Sequence, residues 1–255
     1  ASLAGGAVDA EGGTNTLDYS AYSTAVSVNL ASGTATGTGG ITGFSIVKGG
    51  SAGDILVGSN TTFSQLFGGP GADTLTAGSA GAKLIGDTGN DTLNGGAGTN
   101  TFIWNNGDNS DTINGGAGAN IVQVNGSSAG DDVFNVVGSG GRTLFSRTSL
   151  VPFTLDIGGM TRLEVSGLGG NDSLSLDLSN GNIIPVNGVN FDGGTGNNSL
   201  SLKGGSFNNE IYAATGPGVG TLTFDSTSVV TFSNLKPVFD TVPVTNFSMS
   251  TPGVV

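Results

Sequence analysis

The chain has 255 residues, of which 48 are glycine, and a formal net charge of −12, with 19 Asp and Glu against 7 Lys and Arg. This glycine content is far above the roughly 7% of average proteins, and without high proline or a G-X-Y period it indicates frequent tight turns and not collagen. The absence of Cys and His excludes disulfides, thiolate chemistry and a Ser-His-Asp triad, and the lack of a basic cluster argues against a nucleic-acid partner.

In the N-terminal region, 1–48, residues 20–48 alternate apolar and polar side chains, as in Val26, Val28 and Leu30. Alternation with a period of two is typical of a half-buried strand. These residues are therefore predicted to form N-terminal β-coils. The whole chain contains no run of about 18 apolar residues, so no membrane span is expected.

Residues 49–135 contain a nine-residue repeat with the pattern G-G-x-G-x-D-x-U-x, where U is a large apolar residue. Residues 68–76 read GGPGADTLT and match every fixed position. Three units follow without a gap, and looser copies occur before and after them. The units without a gap are 77–85, 86–94 and 95–103, and the looser ones are 49–57, 106–114, 115–123, 127–135, 167–175, 193–201 and 204–212.

Each half of the repeat has its own structural meaning. Glycine permits the positive φ of a tight turn, and one large apolar residue every nine positions is predicted to point into a shared core. Those core residues are Leu56, Leu75, Leu84, Leu93, Phe102, Ile113, Val122 and Phe134.

These units resemble the RTX calcium-binding repeat of bacterial secreted and surface proteins. In that family two nine-residue units make one turn of a parallel β-roll, and the aspartate at position six binds calcium. The resemblance implies a β-roll over residues 49–135, a Ca²⁺ cofactor, and a bacterial extracellular or cell-surface location.

Position six is occupied by aspartate at intervals of 19, 18, 20 and 21 residues, in the order Asp54, Asp73, Asp91, Asp111 and Asp132. With two units per turn, these carboxylates stack on one edge, while Ala82, Asn100 and Asn120 occupy the other edge and form a neutral ladder. A calcium ion between turns needs a carboxylate from each turn together with backbone carbonyl oxygens. All five aspartates are therefore predicted metal ligands, with Asp73 and Asp91 the clearest pair.

A different role for these residues is a turn aspartate that accepts hydrogen bonds from nearby backbone amides without an ion. That interpretation is favoured at Asp172, because the units after it carry Asn198 and Asn209 at the same position. A glycosidase pair of carboxylates is a weaker hypothesis, because the turns already account for the aspartates. We therefore expect no enzymatic activity.

Residues 136–255 carry longer alternating runs, such as 173–178 and 221–224. They are predicted to form wider, less regular β-helical coils, with a tail, 237–255, that completes the last coil or pairs with a neighbouring molecule. No segment shows capped helical periodicity. The predicted fold is all-β, a parallel β-roll or β-helix solenoid with irregular coils at both ends and almost no helix.

The function expected from these features is that of a non-catalytic structural protein, a subunit of a surface fibre or an adhesin stalk stabilised by calcium. Self-association into a filament is expected because solenoid ends expose unpaired strand edges. The alternatives are a carbohydrate- or ice-binding solenoid and the calcium-folding tail of a secreted hydrolase. A ligand-binding face needs a regular outward threonine ladder, and the sequence shows only scattered pairs such as Thr34 and Thr36.

Overall fold

The computed structural model describes residues 5–251, which form 26 strands and no helix. The prediction of an all-β fold is confirmed. No helix within these residues is long and apolar enough to cross a membrane. The chain divides into two compact units, residues 1–121 and 122–255, and the boundary falls inside β14 (Asn120–Asn125).

The first unit consists of short strands that alternate between two sheets as the chain advances. They are β1 (Ala7–Asp9), β2 (Thr16–Asp18), β3 (Ser27–Asn29), β4 (Thr34–Ala35), β5 (Gly40–Thr42), β6 (Ile46–Lys48), β7 (Ile55–Val57), β8 (Ser64–Phe67), β9 (Thr74–Thr76), β10 (Ala82–Ile85), β11 (Thr92–Asn94), β12 (Asn100–Asn105) and β13 (Thr112–Asn114). One sheet has the order β2-β6-β8-β10-β12 and the other has the order β13-β11-β9-β7-β3-β4, while β1 pairs separately with β5. Apart from the β3–β4 hairpin, the strand pairings described for this unit are parallel, as a β-roll requires.

The register of these strands places the repeat's apolar residues in columns. Leu75 pairs with Leu56 on one side and Leu93 on the other, and Leu93 pairs with Ile113. In the other sheet Leu66, Leu84 and Phe102 are in register in the same way. All eight apolar residues predicted from position eight of the repeat are buried. The core therefore lies between the two sheets.

The second unit contains the longer strands. They are β15 (Val133–Ser139), β16 (Arg142–Arg147), β17 (Phe153–Gly158), β18 (Arg162–Ser166), β19 (Ser173–Asp177), β20 (Val189–Asp192), β21 (Asn198–Lys203), β22 (Phe207–Gly216), β23 (Val219–Phe224), β24 (Ser228–Ser233), β25 (Leu235–Thr241) and β26 (Val244–Ser250). The parallel series β15-β19-β21-β25 and β18-β20-β24 form its framework.

Two antiparallel excursions make this unit irregular. Strands β16 and β17 fold back beside β15, and β23 runs antiparallel between β22 and β24. The alternating run at 173–178 is buried on one face, with Leu174 and Leu176 opposite Leu200 and Leu202. The tail forms β25 and β26, which pair with β21 and β22 of the same chain. Exchange of the tail with another molecule remains a prediction, and residues 1–4 and 252–255 of the predicted terminal regions lie outside the described residues.

Candidate calcium-binding edge

A column of buried aspartates runs through the glycine turns that precede β7, β9, β11 and β13. The amide of Asp54 donates to Asp73 Oδ1 at 2.7 Å, and the amide of Asp73 donates to Asp91 Oδ1 at 2.8 Å. The amide of Asp91 donates in turn to Asp111 Oδ1 at 2.9 Å. The structure thus joins four of the five predicted ligands in one ladder, which we call the Asp ladder (Asp54, Asp73, Asp91 and Asp111).

The second carboxylate oxygen of the two middle members has no hydrogen-bond partner. Asp73 Oδ2 and Asp91 Oδ2 are buried and unpaired, whereas Asp54 Oδ2 accepts from the Gly50 amide at 2.5 Å. A buried anionic oxygen without a partner is strongly unfavourable, because it has lost its hydration and gained nothing in return. A cation would supply the missing partner.

Glycine residues lie directly against these two unpaired oxygens. A Cβ atom at Gly86 would overlap Asp91 Oδ2, and a Cβ atom at Gly68 would overlap both Asp73 Oδ2 and the carbonyl oxygen of Gly86. A carboxylate of one turn and a glycine carbonyl of the next turn therefore approach the same small space. Such a mixture of side-chain and backbone oxygens suits calcium, which takes six to eight oxygen ligands.

Burial dominates the electrostatics of the Asp ladder. Burial, together with the charges of Asp91, Asp54 and Asp87, raises the pKa of Asp73 to about 7, against the opposing hydrogen bond from the Asp54 amide. Burial likewise raises the pKa of Asp91 to about 6 and that of Asp111 to about 8. These side chains resist ionisation because they lie close together in a space that excludes water.

Two further acidic residues of this edge, Asp87 and Asp108, were not predicted from the repeat, because neither stands at position six of its unit. Asp87 stands at the second position of its unit, where glycine is usual, and adopts φ 63°. Asp108 is buried, and its Oδ2 accepts from the Asn105 amide at 2.7 Å. Burial raises the pKa of both residues, to about 6 for Asp108, and their charges raise the pKa of Asp91. In the sequence these residues are visible as a second aspartate in each of the units 86–94 and 106–114, besides the one at position six.

No group of three or more acidic side chains among residues 5–251 converges on a single point. Calcium bound at the Asp ladder therefore relies on backbone carbonyl oxygens for much of its coordination. The residues present fit that requirement, because Asp73 and Asp91 each supply an unpaired carboxylate oxygen, and the Gly86 carbonyl lies beside that of Asp73.

The opposite edge is neutral, as predicted. The Ala82 amide donates to Asn100 Oδ1 at 3.3 Å, and Asn100 Nδ2 donates to Asn120 Oδ1 at 2.9 Å. Asn100 Nδ2 also contacts the carbonyl of Gly98 at 2.9 Å. These amides satisfy one another without an ion.

The fifth predicted ligand, Asp132, lies in the second unit and is fully buried. Its amide donates to Asp172 Oδ1 at 2.8 Å, and the amide of Asp172 donates to Asn198 Oδ1 at 2.8 Å. The carboxylate of Asp132 pairs with Arg147 Nη1 at 3.0 Å through Oδ1 and accepts from the Ser127 amide at 2.7 Å through Oδ2. Both of its oxygens are therefore occupied by groups of the chain itself, unlike those of Asp73 and Asp91.

Comparison with known proteins gives one result for this chain. Residues 6–120 match the family model described as Peptidase M10 serralysin C terminal, a stretch somewhat shorter than half of the chain. No curated protein matches. That C-terminal domain is the RTX parallel β-roll of bacterial secreted proteins, and its repeats bind Ca²⁺ between turns. Residues 6–120 are therefore similar to the calcium-binding β-roll repeat of the serralysin C-terminal family.

Proposed function

We propose that this chain is a non-catalytic structural segment of a secreted bacterial protein, and that calcium at the Asp ladder holds its first unit in the folded form. The observation that carries this proposal is the pair of buried, unpaired oxygens on Asp73 and Asp91, 18 residues apart and one turn apart in space. Without a cation these carboxylates repel one another. With calcium they become the link between successive turns.

The ligands that we assign are Asp73 and Asp91, whose Oδ2 atoms are unpaired, together with Asp111. Asp54 ends the ladder with both carboxylate oxygens accepting backbone amides, and Asp87 and Asp108 add negative charge nearby. Extracellular calcium modules work with dissociation constants of about 10⁻⁴ to 10⁻³ M, since calcium is plentiful there. Secretion and calcium binding are therefore linked: the unit gains its stability where the ion is available. At about 1 mM free calcium, a site with a dissociation constant of about 10⁻⁴ M adds about 1.4 kcal/mol to the free energy of unfolding.

The experiment uses the full chain with chelator and then with millimolar calcium, followed by circular dichroism and the melting temperature. We expect calcium to increase β-structure and raise the melting temperature. The double variant D73N/D91N should lose most of that increase. Asp18→Asn is the matched control, because Asp18 forms a half-exposed pair with Lys48 in the same unit. A spectrum and melting point that calcium leaves unchanged in the natural sequence would overturn the calcium role.

For the larger protein we favour a fibre subunit or adhesin stalk over the tail of a secreted hydrolase. Among the described strands, β25 and β26 end their sheets and pair on one side only. They carry Phe239, Phe247 and Met249, each more than half exposed. An open strand edge with apolar side chains suits strand addition by a second copy of the chain.

Sedimentation over a range of concentrations and electron microscopy test this assembly. The natural sequence should form larger species, and Phe247→Asp should shift them to monomer, while Phe63→Asp, an exposed phenylalanine of the first unit, should not. A strictly monomeric chain at high concentration would favour the hydrolase tail. Absence of catalysis is tested separately by incubation with casein and with polysaccharides, where turnover would contradict the proposal.

A ligand-binding face is the second candidate, and one observation favours it. Thr74, Thr92 and Thr112 lie side by side on β9, β11 and β13, pointing away from the core. Parallel strands repeat at about 4.8 Å, so such a column offers regularly spaced hydroxyl groups to a periodic ligand. Thr92→Tyr should abolish binding to soluble polysaccharide or ice if this face is used. Equal behaviour of Thr92→Tyr and the natural sequence would remove this candidate.

A further inference from the structure

Arg147 is a buried cation in the second unit, held from three sides. Its side chain is 1% exposed, and its partner Asp132 is 0% exposed. Besides the ion pair at 3.0 Å, Nε and Nη2 donate to the Val151 carbonyl at 3.1 and 2.8 Å. The guanidinium carbon lies 5.2 Å from the centre of the Phe153 ring. These contacts together fix the position of the Arg147 guanidinium group.

The turn around Asp132 has the same geometry as the turns of the Asp ladder. A Cβ atom at Gly126 would overlap Asp132 Oδ2 and approach the carbonyl oxygen of Gly167, as one at Gly68 would meet Asp73 Oδ2 and the Gly86 carbonyl. The difference is the counter-charge. Asp73 and Asp91 each keep an unpaired buried oxygen, whereas both oxygens of Asp132 already have partners.

We propose that the Arg147 guanidinium takes the place of the cation at Asp132, so that this turn binds no calcium and the second unit folds without the ion. The proposal rests on the calcium role of the Asp ladder proposed above. The guanidinium group is a cation, and it would repel a divalent ion placed beside it. The residues at Asp132 therefore do not fit calcium, although the repeat places an aspartate there.

The neighbouring residues support this assignment. The amides of Asp132 and Asp172 link Asp132, Asp172 and Asn198 into a second series, in which Asp172 Oδ2 is buried and unpaired. On one side of Asp172 lies Asp132, neutralised by Arg147, and on the other lies Asn198, which is neutral. Asp172 thus lacks the second free carboxylate that a calcium ion between turns requires.

The first test is hydrogen exchange on the full chain with calcium and with chelator. We expect chelator to increase exchange in peptides of residues 46–121 and to leave peptides covering 127–135 and 167–175 unchanged. Calcium-dependent protection at 127–135 would overturn the proposal. If chelator does not increase exchange in residues 46–121 and changes no other peptide, the result would count against the calcium role of the Asp ladder and not against the role of Arg147.

The second test measures bound calcium by calorimetry and melting temperature for Asp132→Asn, Arg147→Met and the control Arg162→Met, whose half-exposed pair with Glu164 contributes little. Asp132→Asn should bind as many ions as the natural sequence. Arg147→Met should melt about 10 °C lower in chelator, because it strands a buried charge, and calcium should restore most of that loss. An ion lost in Asp132→Asn, or an Arg147→Met variant that calcium leaves unchanged, would overturn the proposal. If Arg147→Met does not fold, the ion count of Asp132→Asn decides alone.

Discussion

The backbone amide of Asp73 donates a 2.8 Å hydrogen bond to the Oδ1 atom of Asp91, 18 residues later in the chain. This one contact ties two successive turns together and orients the carboxylate of Asp91. The other carboxylate oxygen of Asp91, Oδ2, then faces the glycine loop, where it has no hydrogen-bond partner in the protein. The same side chain thus stabilises the stack of turns and creates the need for a cation.

The first prediction concerns pH without calcium. The pKa values of Asp73 (about 7), Asp91 (about 6) and Asp111 (about 8) lie above the value of about 3.9 in the unfolded chain. A raised folded pKa means that the folded state holds the proton more tightly, so stability is present at low pH and is lost as pH rises through these values. In chelator we expect the melting temperature to fall between about pH 4 and pH 8.

Calcium should remove that fall, because the ion replaces the protons. Asp91→Asn in chelator should show a shallower pH dependence than the natural sequence. Asp18→Asn, at the surface, should keep the full slope. A melting temperature that stays level or rises over this range in chelator would contradict the account of buried, crowded carboxylates.

The second prediction concerns the glycine beside Asp91. Gly86→Ala should destabilise the chain by about 2 kcal/mol, because the added Cβ would overlap Asp91 Oδ2 and force the carboxylate out of position. The affinity for calcium should fall with it. Gly12→Ala is the control, since a Cβ at Gly12 meets nothing within 4 Å. Denaturant titration and calcium calorimetry measure both effects, and equal behaviour of the two variants would be inconsistent with the proposed geometry.

The third prediction concerns the neutral edge. Asn100 is buried, accepts from the Ala82 amide and donates to Asn120 and Gly98. Asn100→Asp should cost about 3 kcal/mol at neutral pH, since a buried charge replaces a donor and faces the amide oxygen of Asn120. Chemical denaturation measures the loss. Asn94→Asp, on the half-buried outer face of β11, should cost much less, and similar losses for the two variants would argue against the ladder.

The fourth prediction concerns an acidic pair in the second unit. Glu210 is buried, and Glu210 Oε1 and Asp240 Oδ2 both lack hydrogen-bond partners. Burial and the neighbouring carboxylate of Asp240 together raise the pKa of Glu210 to about 7. Because the pKa of Glu210 is raised in the folded state, the pair destabilises the fold as pH rises through about 7. Glu210→Gln should therefore raise the melting temperature at about pH 8 and flatten its pH dependence.

Glu164→Gln is the control for this pair, because Glu164 is partly exposed and already bonded to Arg162 and Gln123. It should not raise the melting temperature. A Glu210→Gln variant less stable than the natural sequence at about pH 8 would show that the pair is stabilising in its ionised form.

The excursions of the second unit show where sequence reasoning reached its limit. Alternation at 173–178 correctly indicated a strand buried on one face. It could not indicate that β16 and β17 fold back against β15, because a period of two is the same for parallel and antiparallel partners. That choice places Arg147 opposite Phe134 and brings its guanidinium to Asp132.

The repeat by itself determined the first unit's core and the Asp ladder. A period of about two nine-residue units per turn brings Leu75 beside Leu93 and Asp73 beside Asp91, so neighbours in space are read directly from spacing in sequence. Only the tertiary structure determined which buried aspartates have a positively charged partner within the chain. Whether a buried aspartate keeps an unpaired oxygen, as Asp91 does, or meets an arginine, as Asp132 does, depends on an insertion that folds back outside the repeat. Burial and charge are set by all the groups that surround a side chain, and the repeat specifies only those one turn away.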